Sequence, residues 1–236
     1  VLVGWRGVFA LAATLAGLST VAVLFGFRAS RSARGELSFS SAGRRYARIV
    51  SIARVRWLMF FVFAEGILVF GVQPYIAAML ERSGMGGATE AGIAIAGFAI
   101  GGILYTLVVR WLLRVLGLLT MLRVAGFIAA GGYLLLAPAL PAWVAAIAMF
   151  LTGIGFYMLH NSFQTQMTEV VPDARASAVS LHAFGFFIGQ AIGPVVFGQL
   201  LLALDRGPAL ATCAAGLVAL GLVAAHILGQ PMPERR

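Results

Sequence analysis

Long apolar segments separated by short polar stretches run through almost the whole chain. Seven of these segments have roughly the 20 residues that an α-helix needs to cross a bilayer. None alternates apolar and polar positions as a barrel strand does, and backbone groups in a bilayer must bond within their own segment. The pattern therefore predicts an all-α polytopic membrane protein with about seven transmembrane helices. The predicted spans are residues 8–27, 57–80, 91–109, 118–137, 142–161, 179–202 and 208–228.

Composition agrees with this pattern. Of the 236 residues, 61% are hydrophobic and 11% are charged, against about 45–50% and about 25% in a soluble domain. A soluble fold of this size has no place to bury so much apolar surface. The four tryptophans, Trp5, Trp57, Trp111 and Trp143, lie at or just beyond span ends, where their rings favour the headgroup region. They support the predicted boundaries independently.

The spacing of the spans divides the chain into four predicted parts. Residues 1–27 form a single transmembrane helix, 28–56 a basic cytoplasmic linker, 57–228 a six-helix transmembrane bundle, and 229–236 a cytoplasmic tail. In the second half of the linker, apolar residues recur at helical spacing opposite arginines. This pattern favours a helix lying on the inner membrane surface, with a solvated charge run as the alternative.

The arginines predict the orientation. All 17 basic residues are arginines, and all but Arg6, Arg82 and Arg206 fall on one side of the predicted spans. The positive-inside rule then places the linker and the C-terminus in the cytoplasm and the N-terminus outside. A net charge of +9 would suggest nucleic acid for a soluble chain, but arginines clustered between spans determine topology instead. We therefore expect the lipid bilayer as a partner, and no nucleic acid.

Glu65 is the only acidic residue well inside a predicted span. It follows Trp57 by eight residues, which places it about 12 Å along a helix that crosses a core of about 30 Å. A carboxylate at that depth must face a water-filled cavity, pair with a cation, or be protonated. Two roles remain open: a proton- or cation-coupling group, and a structural hydrogen bond to a neighbouring helix.

Glycines and prolines indicate breaks and close contacts between helices. Pro74 lacks the backbone donor for the carbonyl four residues back, so we expect the second span to break there and Gln73 to contact substrate. Glycines repeat every four residues in the sixth span, which suits close helix packing or a hinge for alternating access. The candidate packing or hinge residues are Pro74, Gly97, Gly101, Gly185, Gly189, Gly193, Pro194 and Gly198.

Several polar side chains lie within or at the ends of the later spans. His160, Asn161 and Gln164 come at the end of the predicted fifth span. We expect them to satisfy helix ends near the cytoplasm, with cavity lining as the alternative. His182 lies on the glycine face of the sixth span and Gln190 lies near it, so both are placed to project toward a pathway. These residues supply too few adjacent ligands of the right kind for a predicted metal site.

Three stretches resemble the major facilitator superfamily. Residues 4–9, Gly-Trp-Arg-Gly-Val-Phe, resemble the start of that family's sixth helix. Residues 101–123 resemble its Gly- and Arg-rich loop between helices eight and nine, but Leu112-Leu113 stand where an aspartate is expected. Residues 153–161 resemble the helix ten to eleven region of bacterial sugar- and drug-efflux members. The matching cytoplasmic-loop residues are Arg110, Arg114, Arg123 and Arg175.

The resemblance implies helix six, the linker and helices seven to twelve of a twelve-helix transporter of the bacterial inner membrane. It implies export of a small molecule by alternating access, driven by proton antiport, with no enzymatic activity and no cofactor. Its partners would be a small-molecule substrate, protons and the missing N-terminal helices. The candidate pathway residues are Glu65, Gln73, His160, Asn161, Gln164, His182 and Gln190.

Two other classes were weighed against a transporter. A retinal pump is excluded because the chain has no lysine to form the Schiff base. An intramembrane enzyme ranks last because neither H-E-x-x-H nor G-x-S-x-G occurs. A seven-helix ligand-sensing receptor, or another membrane protein without transport activity, remains the alternative.

Overall fold

The structure, a computed structural model, describes residues 4–26, 39–139 and 141–231. In these ranges the chain forms α-helices joined by short turns, and no strand is present. Six helical segments are long and apolar enough to cross a membrane, so the predicted all-α polytopic fold is confirmed. The helices are α1 Gly4–Gly26, α2 Phe39–Ser51, α3 Ala53–Phe70, α4 Ile76–Arg82, α5 Ala88–Leu136, α6 Ala142–Val170, α7 Arg175–Leu204 and α8 Arg206–Leu228.

The longest helix, α5, is a pair of antiparallel spans. It has 49 residues, about twice the number that one crossing requires. Gly117 interrupts it with φ +66° and ψ 167°, a backbone conformation that favours glycine. Gly97 lies against Ala146 of α6, and Gly132 lies against Ala148 of the same helix. Residues before and after Gly117 thus contact the same turn of α6, so the chain reverses direction at Gly117. The third and fourth predicted spans are therefore both present.

The described residues belong to two compact units, one that ends at Arg44 and one that begins at Arg45. The first unit contains α1, in which the ring of Trp5 packs edge-to-face on Phe9 with centroids 6.1 Å apart. The guanidinium of Arg6 lies 5.2 Å from the centroid of the Trp5 ring, within the range of a cation–π contact. These contacts fix the side chains at the first turn of α1.

Helix α2 covers the basic part of the predicted linker. Arg44, Arg45 and Arg48 are exposed, whereas Ile49 is buried in the core of the second unit. The helix stops where Arg56 donates hydrogen bonds to the carbonyls of the last residues of α2. Its position on the inner membrane surface stays a prediction, and residues 28–38 of the linker lie outside the described residues.

The second unit is a bundle built on close backbone contacts. Gly185 of α7 faces Met59 of α3, and Gly193 faces Ile67. Since the residue numbers rise together, α3 and α7 run parallel. The second half of α5 packs against α8 with the opposite sense, because Gly126 lies against Leu217 while the earlier Leu122 lies against the later Gly221. Small residues thus bring the helices together, as is usual where no hydrophobic effect operates between them.

Candidate functional site

Three sequence candidates from three helices meet inside the bundle. Glu65 of α3 is fully buried, and its Oε2 atom lies 2.8 Å from Nδ1 of His160 on α6. Nε2 of His160 lies 3.4 Å from Nε2 of His182 on α7, which is also buried. Glu65, His160 and His182 therefore form one line of hydrogen-bonding groups, which we call the carboxyl–imidazole chain.

The carboxyl–imidazole chain is a line rather than a cage. His160 directs one ring nitrogen to Glu65 and the other to His182, so the three groups do not surround a common point. Among the described residues, no group of histidine, cysteine, aspartate or glutamate side chains is arranged to hold a metal ion. The arrangement suits the passage of a proton from group to group.

Phenylalanine rings enclose His160. Phe156, one turn earlier on α6, stacks on the imidazole with centroids 5.0 Å apart. Phe186, one turn beyond His182 on α7, contacts the same imidazole edge-on at 4.7 Å. The ring of Phe70 contacts both phenylalanines. Because these rings displace water, electrostatic interactions within the chain are stronger than they would be in solvent.

Two glycines let the helices that carry the chain approach each other. A Cβ atom at Gly66 would lie 2.6 Å from the carbonyl oxygen of Phe186, and one at Gly189 would collide with the carbonyl oxygen of Phe63. Both obstacles are backbone atoms, which cannot rotate away. A hydrogen in place of a side chain at these two positions is therefore what allows α3 and α7 to pack this closely beside Glu65.

Both ends of the carboxyl–imidazole chain are unpartnered. Oε1 of Glu65 and Nδ1 of His182 are buried and form no hydrogen bond within the described part of the protein. Buried polar atoms almost always have a partner. Each end is therefore available to a proton or to a polar ligand.

One pair of protonation states satisfies both internal hydrogen bonds. With Glu65 ionised, His160 donates from Nδ1 to the carboxylate, and His182 donates from Nε2 to Nε2 of His160. A proton added at Nδ1 of His182 shifts each bonded proton by one position and leaves Glu65 neutral. In that state Glu65 donates to Nδ1 of His160, and His160 donates from Nε2 to His182. The chain can thus take up one proton without leaving either histidine charged.

The helix that carries Glu65 is interrupted beyond the site. α3 ends at Phe70, and Pro74 lies in a short 3-10 turn before α4 begins. The hydroxyl of Tyr133 lies 3.0 Å from the carbonyl oxygen of Leu68 and 2.9 Å from that of Val69. It satisfies backbone acceptors next to the break. The sequence argument missed Tyr133, although a tyrosine in an apolar span signals a hydrogen-bond partner.

The break in α3 is tied to the proline of α7. The hydroxyl of Tyr75 donates to the carbonyl of Pro194 at 2.8 Å. Gly198 leaves room for that hydroxyl, because a Cβ there would collide with it. Gln73, next to Pro74, has a buried amide nitrogen without a hydrogen-bond partner among the described residues. Gln73 and Pro74 are thus at the break that the sequence predicts, and Gln73 has an unused donor.

The helix-end interpretation of the polar residues on α6 is wrong. α6 continues to Val170, so His160, Asn161 and Gln164 lie inside the helix and not at its end. Asn161 instead lines a cavity of about 240 Å³. Gln164 is half-buried on α6, and Gln190 is half-buried on α7. The apolar stretch ends before the helix does, so its length underestimates the length of α6.

The remaining glycine candidates pack against α6. A Cβ at Gly97 would collide with the carbonyl oxygen of Ala146, and one at Gly101 would lie 2.9 Å from the backbone nitrogen of Ile154. These two positions, one turn apart on α5, therefore form a close backbone contact with α6. The structure places them at a packing surface, like Gly185, Gly189 and Gly193 on α7.

The four arginines that the sequence assigns to cytoplasmic loops are surface residues. Arg110, Arg114, Arg123 and Arg175 are all exposed. The end of α6 and the turn after it contain Glu169 and Asp173, two acidic residues of the kind that pair with arginines. Glu169 instead accepts a hydrogen bond from Gln166 at 2.6 Å, and no ion pair joins this turn to an arginine among the described residues.

Arg54 holds the end of the bundle together and was missed by the sequence argument. Its guanidinium donates to the carbonyl of Leu228 at 2.5 Å and to that of Gln230 at 3.1 Å. These carbonyls at the end of α8 have no partner within the helix. One arginine of the basic linker thus has a structural role in addition to its effect on topology.

The family follows from comparison with known proteins. The model of the Major Facilitator Superfamily matches residues 1–194. The chain belongs to the major facilitator superfamily. No curated protein matches it. Membership identifies an integral membrane transporter that moves a small molecule across the membrane, and the alternative of a seven-helix receptor is not favoured.

Proposed function

We propose that this major facilitator superfamily protein is a proton-coupled antiporter that exports a small molecule by alternating access. The observation that carries the proposal is the hydrogen bond between Glu65 and His160 inside an apolar span. A carboxyl group buried at that depth is costly and characteristic of coupling sites. His182 extends the bond to a second buried and unpartnered atom, so a proton that reaches His182 can be passed on to the carboxyl.

Coupling then rests on the charge of Glu65. Ionised Glu65 must keep a polar partner, whereas neutral Glu65 tolerates an apolar contact. A helix movement that shields the carboxyl is therefore favoured after protonation and opposed before it. Exchange of this proton for a substrate in the same transport pathway gives antiport. Gln73 and Gln190, both half-buried, are the proposed substrate contacts.

The proposed setting is a twelve-helix transporter of the bacterial inner membrane. Residues 1–27 correspond to helix six, 28–56 to the linker, 57–228 to helices seven to twelve, and 229–236 to the cytoplasmic tail. The N-terminus of this chain then lies outside and the C-terminus in the cytoplasm, in agreement with the arginine distribution. In this arrangement the missing N-terminal helices supply the other wall of the pathway, because binding sites in such folds lie between repeats.

A comparison of driven transport with passive exchange tests the proposal. The complete transporter is reconstituted in proteoliposomes and supplied with labelled sugars, hydrophobic drugs and amphipathic acids. Glu65→Gln should abolish transport driven by a pH gradient and preserve substrate exchange at equal pH, because Gln cannot take up a proton. Glu81→Gln is the matched control, since Glu81 is exposed. Gradient-driven transport that survives in Glu65→Gln would remove this residue from the coupling mechanism.

A further inference from the structure

A cavity of about 710 Å³ lies apart from the carboxyl–imidazole chain. Residues of α4, α7 and the start of α8 line it, and it contains no member of the carboxyl–imidazole chain. Its volume falls within the range of about 300–1,000 Å³ that is usual for small-molecule sites. Its lining has a basic end and an apolar wall.

Two arginines form the basic end. Arg206 is half-buried, and its guanidinium donates to the carbonyl of Leu136 from both Nη2 at 2.7 Å and Nε at 3.2 Å. Its Nη1 also donates to the carbonyl of Met79 at 3.4 Å. These bonds hold the guanidinium in place, while carbonyl acceptors leave its charge unneutralised. Arg82 is exposed at the end of α4. Among the described residues neither arginine forms an ion pair. Two arginines stand against one carboxylate in the lining, so the basic end has a net positive charge.

The other polar groups at this end limit the size and charge of a ligand. The hydroxyls of Tyr75 and Ser83 already donate to backbone carbonyls, whereas Gln199 is exposed. Asp205 lines the same cavity and places one negative charge beside the two arginines. The basic end therefore favours an anionic group of low charge, such as a carboxylate or a phosphate monoanion.

The apolar wall extends from the basic end along α7. Val195 and Leu202, two turns apart on the same helix face, line the cavity with side chains that are 65% and 83% exposed. Seven residues of helix extend about 10 Å, which is enough to contact the hydrocarbon part of a ligand. Exposed apolar side chains next to unpaired arginines fit a molecule with both properties.

We propose that this cavity binds an amphipathic anion, with its carboxylate or phosphate head between Arg82 and Arg206 and its hydrocarbon chain along α7. The inference goes beyond proton coupling, because no member of the carboxyl–imidazole chain takes part in it. Either a lipid of the surrounding bilayer or a soluble amphiphile supplies this chemistry. The charge on the head and the length of the apolar chain determine binding.

Fluorescence titration of the purified protein in phosphatidylcholine nanodiscs tests the proposal. The probe is dansyl-labelled undecanoic acid, and its primary-amine counterpart is the charge control. Saturable binding of the acid and weak binding of the amine are expected. Arg82→Gln should weaken binding of the acid by about ten- to a hundredfold, the usual effect of losing a hydrogen bond to a charged group. Arg175→Gln, an exposed arginine outside the cavity, should leave binding unchanged.

A substitution that removes a negative charge from the cavity gives a second test, because it should change the affinity for the acid in the opposite direction. Asp205→Asn removes the one negative charge of the lining and should tighten binding of the acid. Asparagine has nearly the same shape as aspartate, so the substitution adds no bulk at this strained backbone position, where φ is 61° and ψ is 176°. Equal binding of acid and amine, or an Arg82→Gln variant that binds the acid as tightly as the parent, would overturn the proposal.

Competition identifies the source of the ligand. If phosphatidylglycerol displaces the probe, the natural ligand is a bilayer lipid. If it does not, the natural ligand is a soluble amphiphile. Both results support the site. Glu65→Gln should bind the probe like the parent. If the protein does not bind the probe but its transport still depends on Glu65, only the inference about this cavity is rejected. If the protein binds the probe but its transport is not driven by a pH gradient, only the proposed function is rejected.

Discussion

Nδ1 of His160 lies 2.8 Å from Oε2 of Glu65, although 95 residues separate the two along the chain. Among the described residues, His160 is the one hydrogen-bond partner of that carboxyl group, since its second oxygen has none. The contact joins α3 to α6 and is the one hydrogen bond that the described residues form with a fully buried carboxyl group, so its loss is costly. The pair therefore contributes to stability as well as to the proposed coupling.

Replacement of His160 by phenylalanine should expose the cost of an unpaired Glu65. Phenylalanine keeps the stacking on Phe156 but removes the hydrogen bond, so we expect the free energy of unfolding to fall by about 1–3 kcal/mol. A double variant that combines His160→Phe with Glu65→Gln should recover part of the lost unfolding free energy, because a neutral amide is less costly to bury unpaired than a carboxylate. Circular dichroism during thermal unfolding in detergent measures both effects.

The matched control is His226→Phe. His226 is exposed, and its replacement should change the unfolding free energy by less than about 0.5 kcal/mol. A double variant no more stable than His160→Phe alone would contradict the pairing.

Two glycine substitutions should have opposite effects, one at the contact between α3 and α7 and one at an open position of α5. In Gly189→Ala the new methyl group collides with the carbonyl of Phe63, and overpacking of this kind costs about 1–3 kcal/mol. In Gly131→Ala the methyl group meets nothing within 4 Å, and alanine gains up to about 1 kcal/mol from its helix propensity. Unfolding temperatures of the two variants in the same detergent compare them directly. Equal temperatures would show that the helices separate without cost.

The hydroxyl of Tyr133 should be worth about 0.5–1.5 kcal/mol, the usual net value of a hydrogen bond. Tyr133→Phe removes the donor to the carbonyls of Leu68 and Val69 while it keeps the ring. Thermal unfolding measures the loss, and Tyr46→Phe, at a residue that is 37% exposed, is the control. An equal loss of unfolding free energy in the two variants would mean that the Tyr133 hydroxyl does not stabilise the backbone at the break.

Arg54→Gln should loosen the end of α8. The carbonyls of Leu228 and Gln230 lose their donor, and the last turn should open more often. Hydrogen exchange followed by mass spectrometry should show faster deuterium uptake by peptides that cover residues 222–231. Arg175→Gln, at an exposed arginine, should leave uptake unchanged. Unaltered exchange in Arg54→Gln would assign the capping role to another group.

The lengths of the apolar segments were sufficient to predict the membrane helices, including the two halves of α5. It also singled out Glu65, because one carboxyl in an apolar span conflicts with its surroundings. It did not pair Glu65 with His160 and His182, since contacts between helices depend on their packing and rotation. The end of α6 was misplaced because the apolar stretch ends near His160, whereas backbone hydrogen bonding continues through polar residues to Val170.

Tyr133 and Arg54 show another limit of sequence reasoning. Each is an ordinary residue for its segment, a tyrosine in an apolar span and an arginine in a basic linker. Their roles depend on which backbone carbonyls the fold leaves without a donor. That information arises only once α3, α5 and α8 lie side by side.

The separation of Glu65 from His160 also has a consequence for biosynthesis. α3 enters the bilayer before α6 has been translated, so Glu65 enters without its partner. A charged side chain at a helix centre costs about 2.5–3.5 kcal/mol on insertion, whereas each Leu, Ile, Phe or Val contributes about 0.3–0.6 kcal/mol in favour. The ten such residues of α3 offset the cost, so α3 can insert alone. The imidazoles then join a carboxyl group that is already in the membrane.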